Sequence, residues 1–186
     1  MPKKYSYNDI PSYTSHASYH INIEWIGIER TIENYIKDYN LNLDPEFQRA
    51  HVWTEEKQVK YVEYCLRGGH SSKDLYFNCI GWNHGELGDY VIVDGKQRLE
   101  AVRKFMRNDL EIFHNKELKN KKPIKFEDFG DRPRMIKSTF LWHINDLATY
   151  KEVLQWYLDL NEGGIIHTSE ELNKVKELLK NEINNS

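Results

Sequence analysis

Tyr90-Val91-Ile92-Val93-Asp94-Gly95-Lys96-Gln97-Arg98-Leu99 is the stretch on which the reading of this chain turns. Tyr90–Val93 is a short apolar run of the kind that forms a buried strand. Asp94-Gly95 then makes an abrupt turn, and from Lys96 to Arg107 the period changes to that of a helix, with Leu99, Val102, Phe105 and Met106 on one face. A strand that turns through glycine into a helix aims backbone N–H groups and the positive end of the helix dipole at one place. Lys96, Gln97 and Arg98 stand at that place. Two cations and an amide around a helix start suit a phosphate; the plain alternative is an Asp-Gly turn with no ligand.

A chain of 186 residues suits one domain with its own hydrophobic core. The expected division is an extended arm over residues 1–24 and a single domain over 25–186. No apolar run approaches the roughly 20 residues that cross a bilayer, and Met1-Pro2-Lys3-Lys4-Tyr5 offers no signal core. The expected compartment is therefore the cytoplasm, that of the host if the chain is phage-encoded. Cys65 and Cys79 lack the spacing and companion histidines of a zinc site, so both are read as reduced structural residues.

The net charge of −3 hides an uneven distribution: residues 96–137 carry 13 basic side chains against 7 acidic ones. An acidic protein with a basic middle is unlike a general DNA binder, whose affinity comes from neutralising phosphates over a broad surface. A nucleotide, or a short stretch of nucleic acid, remains compatible with it. The bland counterpart is a solvated lysine-rich loop around Lys116–Lys125.

Away from the central turn, Ile32, Tyr35, Ile36 and Tyr39 predict a helix over Thr31–Asn40, and the chain from Leu41 is expected to run extended into Glu46-Phe47-Gln48-Arg49. Thr54 reads as an N-cap followed by Glu55 and Glu56, with Val59, Val62 and Leu66 as the buried stripe. Leu75–Ile80, Leu110–Phe113 and Ser138–Ile144 read as strands, and Asn115–Lys125 as a mobile loop. Glu152–Asn161 reads as a helix stopped by Gly163-Gly164. A last helix opens at Thr168, with Glu171 at capping-box spacing. Short strands mixed with helices give an α/β (α+β) domain with a small mixed sheet flanked by helices.

Three segments, taken in order, carry a resemblance: Asp44-Pro45-Glu46-Phe47-Gln48-Arg49 followed by Val52-Trp53, then Asp94-Gly95-Lys96-Gln97-Arg98, then Asn161-Glu162-Gly163-Gly164. Together they resemble the DGQQR-motif domains found at the N-termini of modification-dependent restriction systems of the GmrSD and SspE type, within the ParB/sulfiredoxin-like superfamily. The resemblance spans roughly residues 25–182. Lys96 departs from the first glutamine of the signature, and Glu100-Ala101 from its usual small hydroxyl residues. On this length the chain is expected to lack the nuclease domain that restriction members carry after this module.

That resemblance implies a nucleoside triphosphate with Mg²⁺ as ligand. Arg98 and Arg49 would grip phosphate oxygens, as guanidinium forks do. Gly95, Lys96 and Gln97 would complete the cradle, Gln48 would fix Arg49 or the nucleotide, and Asn161 would bond the nucleotide or its loop. Asp94 would be the catalytic residue, holding Mg²⁺ through water or orienting the attacking water. His51 and His167 lie near these segments but read as surface residues. Trp53 reads as core rather than as a base platform. Three functions follow: a nucleotide-binding domain, NTPase or nucleotide-gated module working with nucleic acid or a defence-system partner; a ParB-like DNA-binding or nicking module; and a non-catalytic regulator that keeps the fold. A small single module also fits a phage or mobile-element origin.

Overall fold

Leu75, Phe77 and Cys79 alternate with Asp74, Tyr76 and Asn78, the two-residue period of a strand with different chemistry on its two sides. A computed structural model describes residues 10, 13–15, 17–48, 53–85, 88–114, 122–130, 138–162 and 169–184, and there Asp74–Cys79 is an inner strand of a four-stranded sheet. Its strands are β1 (Tyr19–Glu24), β2 (Asp74–Cys79), β3 (Tyr90–Asp94) and β4 (Thr139–Asn145), in the spatial order β1-β4-β2-β3. β1 runs antiparallel to β4, β4 parallel to β2, and β2 antiparallel to β3, which makes the sheet mixed.

The two faces of the sheet hold separate apolar cores. On one face Leu75, Phe77, Tyr90, Ile92, Phe140, Trp142 and Ile144 are fully buried against three helices, α1 (Ile28–Tyr39), α2 (Glu55–Leu66) and α3 (Lys96–Met106). On the other, Val93, Phe47 and the partly buried Tyr76 and Val91 pack with α4 (Tyr150–Glu162) and α5 (Ser169–Asn184), chiefly through Leu154, Trp156 and Val175. Helices on both faces of one sheet give the α/β class expected from the sequence.

The helix ends follow local chemistry. Thr54 caps α2 by accepting a hydrogen bond from the Lys57 N–H at 3.4 Å, with Glu55 and Glu56 in the first turn. α1 starts at Ile28, three residues before the expected Thr31, because Ile28 is itself a core residue. Asn40 ends α1 in the left-handed conformation. α3 differs from both: its cap is Gly95, with no side-chain cap bond, and no acidic residue stands in its first turn.

Three expectations need correction. Tyr19–Glu24 is extended, as expected of the arm, but it is a paired edge strand of the sheet. Leu110–Phe113 is not a strand; one bridge joins Ile112 to Ile124, and the positive φ of Asn108 and Phe113 turns the chain away at either side. The segment after Pro45 is not extended, since Glu46–Gln48 closes into a single 3-10 turn with the Gln48 N–H donating to the Pro45 carbonyl at 3.0 Å. Arg49, His51, Gly163-Gly164, His167, Thr168 and most of the 115–125 loop lie outside the described residues.

Candidate functional site

The turn between β3 and α3 is shaped by a register shift and by one glycine. Between Phe77 and Tyr76 the pairing of β2 with β3 slips, so that Asp94 rather than Val93 faces Tyr76. Gly95 follows with φ of 95°, in the left-handed region. A Cβ there would lie 2.4 Å from Leu75 Cδ2, 3.1 Å from Arg98 Nη2 and 3.3 Å from the Asp74 carbonyl oxygen. Glycine is required twice over, for its backbone angle and for the space that the Arg98 guanidinium occupies.

Four residues of the expected cradle converge here, each with a defined partner. Arg98 Nη2 donates to Asp94 Oδ2 at 2.5 Å, one helical turn away, and both side chains are about four-fifths buried. Arg98 Nε is buried with no hydrogen-bond partner among the described residues. Such an orphaned charged donor marks a place where an acceptor belongs. Lys96 is ion-paired with the exposed carboxylate of Asp44, whose own N–H donates to Asn42 Oδ1 at 2.8 Å. Gln97 Oε1 accepts from the Trp53 N–H at 2.9 Å.

Gln48 acts as a strut: its Nε2 donates to the Val93 carbonyl and, at 3.4 Å, to that of Ile92. The 3-10 turn at Glu46–Gln48 is thereby fixed to the end of β3. Asn161 lies in α4 with a hydrogen bond inside its own helix: it is 8% exposed, and its Nδ2 donates to the Tyr157 carbonyl at 2.6 Å.

A polar row crosses the sheet from the turn. Pairing aligns His20 of β1 with His143 of β4, His143 with Tyr76 of β2, and Tyr76 with Asp94 of β3. His143 Nε2 lies 2.7 Å from Asp74 Oδ1, and its Nδ1 lies 2.9 Å from His20 Nδ1. The Tyr76 ring stacks on His143 with centroids 4.6 Å apart and planes 15° from parallel. Burial holds the Tyr76 phenol above its ordinary pKa; Asp74 and Asp94 push the same way, and Arg98 opposes them.

Beside Tyr76 opens a cavity of about 600 Å³, lined by Tyr13, Trp156, Asp159 and Leu160 among others. The Thr14 N–H donates to Asp159 Oδ2 at 2.8 Å and holds the N-terminal segment across its edge. Trp156 is fully buried, and its indole N–H has no acceptor among the described residues.

Asp74, Tyr76, His143 and His20 were not legible as site residues, and Asp44 was legible only as the first residue of its motif. The alternation of Asp74, Tyr76 and Asn78 with apolar neighbours was the available signal, as was a histidine inside the apolar run of β4. No group of three or more His, Cys, Asp or Glu side chains suited to a metal occurs among the described residues.

The basic character of α3 is largely neutralised within the fold. Arg103 bonds Glu29 and Glu100 at 2.8 Å each, and Arg107 reaches Glu29 at 3.3 Å. Burial raises the Glu29 pKa, but the hydrogen bonds and charges of Arg103 and Arg107 outweigh it and leave the carboxyl below its ordinary value.

A family model described as GmrSD restriction endonuclease, N-terminal domain, matches residues 31–184. That span contains the β3–α3 turn, its struts and all of α2 to α5; β1 precedes it. No curated protein and no solved structure matches the chain.

Proposed function

This chain belongs to the family of GmrSD restriction endonuclease N-terminal domains, and from that premise we propose that it is the nucleotide-binding module of a restriction or defence system, taking a nucleoside triphosphate with Mg²⁺ at the β3–α3 turn. The observation that carries this reading is the buried Nε of Arg98, which has no hydrogen-bond partner among the described residues and lies beside the Gly95 helix start, where no side chain caps α3. A phosphate there accepts from the guanidinium fork, from Lys96 and from the positive end of α3 at once.

The cations proposed to take phosphate are each held by a carboxylate. Asp94 occupies one arm of Arg98, and Asp44 occupies Lys96. An incoming phosphate competes with both, and releasing Asp94 beside a phosphate leaves two like charges together. Mg²⁺, if bound there, would supply the neutralising charge that this arrangement needs. Asp94 is the residue to hold it, directly or through water, and to orient an attacking water in a hydrolytic member. The cavity beside Tyr76 and Trp156 offers the nucleoside end an aromatic wall.

Calorimetric titration of ATP, GTP and CTP, with and without Mg²⁺, tests the reading on the wild type and on Arg98→Ala. Binding to the wild type that is lost in Arg98→Ala supports it. Equal binding in both proteins, or none in either, overturns it. Phosphate release by the wild type but not by Asp94→Asn assigns hydrolysis; binding without release assigns a nucleotide-gated module.

A further inference from the structure

We propose that His20 and His143 form a binding site for a divalent transition metal of the zinc or nickel type, with Asp74 as its supporting carboxylate. The site is separate from the Mg²⁺ expected at Asp94, because imidazole nitrogens suit zinc, copper and nickel, whereas magnesium takes oxygen ligands.

The hydrogen-bond chain sets the tautomers. The Asp74 carboxylate only accepts, so at 2.7 Å it requires the hydrogen of a neutral His143 to be on Nε2. His143 Nδ1 then carries a bare lone pair, and it points at His20 Nδ1 across 2.9 Å. In the metal-free pair His20 donates its hydrogen into that lone pair. When that hydrogen is carried instead on the outer Nε2 of His20, two lone pairs converge on one point.

The spacing is close to what a metal requires. Two imidazole nitrogens on a tetrahedral zinc, each about 2.0–2.1 Å from it, lie about 3.3 Å apart. The observed pair needs to open by only about 0.4 Å. His20 is exposed on an edge strand and is the ring that moves. His143 is the fixed ligand: it is 8% exposed, stacked on Tyr76 and tied to Asp74.

The Asp74–His143 bond is the carboxylate–histidine arrangement that orients a metal-binding imidazole and raises its basicity. Among the described residues no further ligand completes a three-member cluster. The site also draws on β1, which lies before the residues matched by the family model.

The test uses the full chain without a histidine tag, titrated with Zn²⁺ against a chromophoric competitor. Wild type, His20→Ala and Asp74→Asn are compared, each checked by circular dichroism; His20 is exposed, so its replacement leaves the core untouched. One equivalent of zinc is expected, bound at least tenfold more weakly by His20→Ala and about tenfold or more weakly by Asp74→Asn. Imidazole ¹⁵N shifts on adding Zn²⁺ are expected to report coordination through Nδ1 of both rings. No stoichiometric binding, or equal affinity in wild type and His20→Ala (stray binding to others of the eight histidines), overturns the proposal. Coordination through Nε2 overturns it as well.

Discussion

At the scale of single residues, Gly95 is the position where conformation and ligand chemistry meet. Gly95→Ala places a Cβ in the left-handed region and within 2.4 Å of Leu75. Urea denaturation is expected to show a loss of about 1–3 kcal/mol, the usual cost of such strain. The same Cβ presses on Arg98 Nη2, so the proposed nucleotide binding is expected to weaken by more than the stability loss. Asp94→Asn acts on the other side of that guanidinium. Removing its charge leaves Arg98 a weaker internal partner, and nucleotide binding is expected to lose most of its dependence on Mg²⁺ in calorimetric titrations. Equal Mg²⁺ dependence in the variant and the wild type removes Asp94 from the metal role. Cys79 lies in the opposite core, fully buried, with burial pushing its thiol up to about 11. At pH 8 the native thiol is expected to resist iodoacetamide and to react once the chain is unfolded in guanidinium, as read by mass spectrometry.

At the scale of elements, the helix starts separate structural positions from functional ones. α2 has a threonine cap and two first-turn carboxylates, and Thr54→Ala is expected to cost about 1 kcal/mol in thermal or urea unfolding. α3 has neither, and under the proposed function that omission leaves its positive end for a phosphate. α1 and α3 are joined instead by Glu29 with Arg103 and Arg107. The Glu29 carboxyl is held below its ordinary value of 4.5 in the folded protein, so the unfolded chain binds its proton first as pH falls. Its contribution is complete above that ordinary value and is lost as pH drops through the lower folded one. Urea titrations between about pH 3 and about pH 6 are expected to show a steeper acid loss in the wild type than in Glu29→Gln. The helices and the β2, β3 and β4 strands were readable because each repeats its apolar residues over a full element, and the Asp94–Arg98 turn because glycine and charge mark it locally. What was not readable depends on pairing across the sheet. Nothing near His143 in the sequence announces that β1 brings His20 beside it, or that a register slip turns Asp94 toward Tyr76. The strand expected at Leu110–Phe113 failed for the same reason: an apolar run becomes a strand only where a partner edge is free to receive it.

At the scale of the whole molecule, the sheet divides two cores, and the candidate site sits where both end. Leu75 and Ile92 press on the turn from the face of α1 to α3, and Val93 and Phe47 from the face of α4 and α5. Gln48 and Gln97 tie flanking segments to the same strand end. A ligand at the turn therefore binds only when both layers are assembled, and its binding energy adds to the folding equilibrium of the entire domain. At a ligand concentration a hundred times Kd, that linkage supplies about 2.7 kcal/mol. For a domain of this size each kcal/mol raises Tm by about 2–4 °C, so saturating nucleotide with Mg²⁺ is expected to raise Tm by about 5–10 °C. Arg98→Ala is expected to unfold in one cooperative transition with no such rise. A nucleotide-dependent shift that survives in Arg98→Ala places the ligand elsewhere in the fold, and a shift confined to one of two separable transitions shows that the cores do not unfold as one unit.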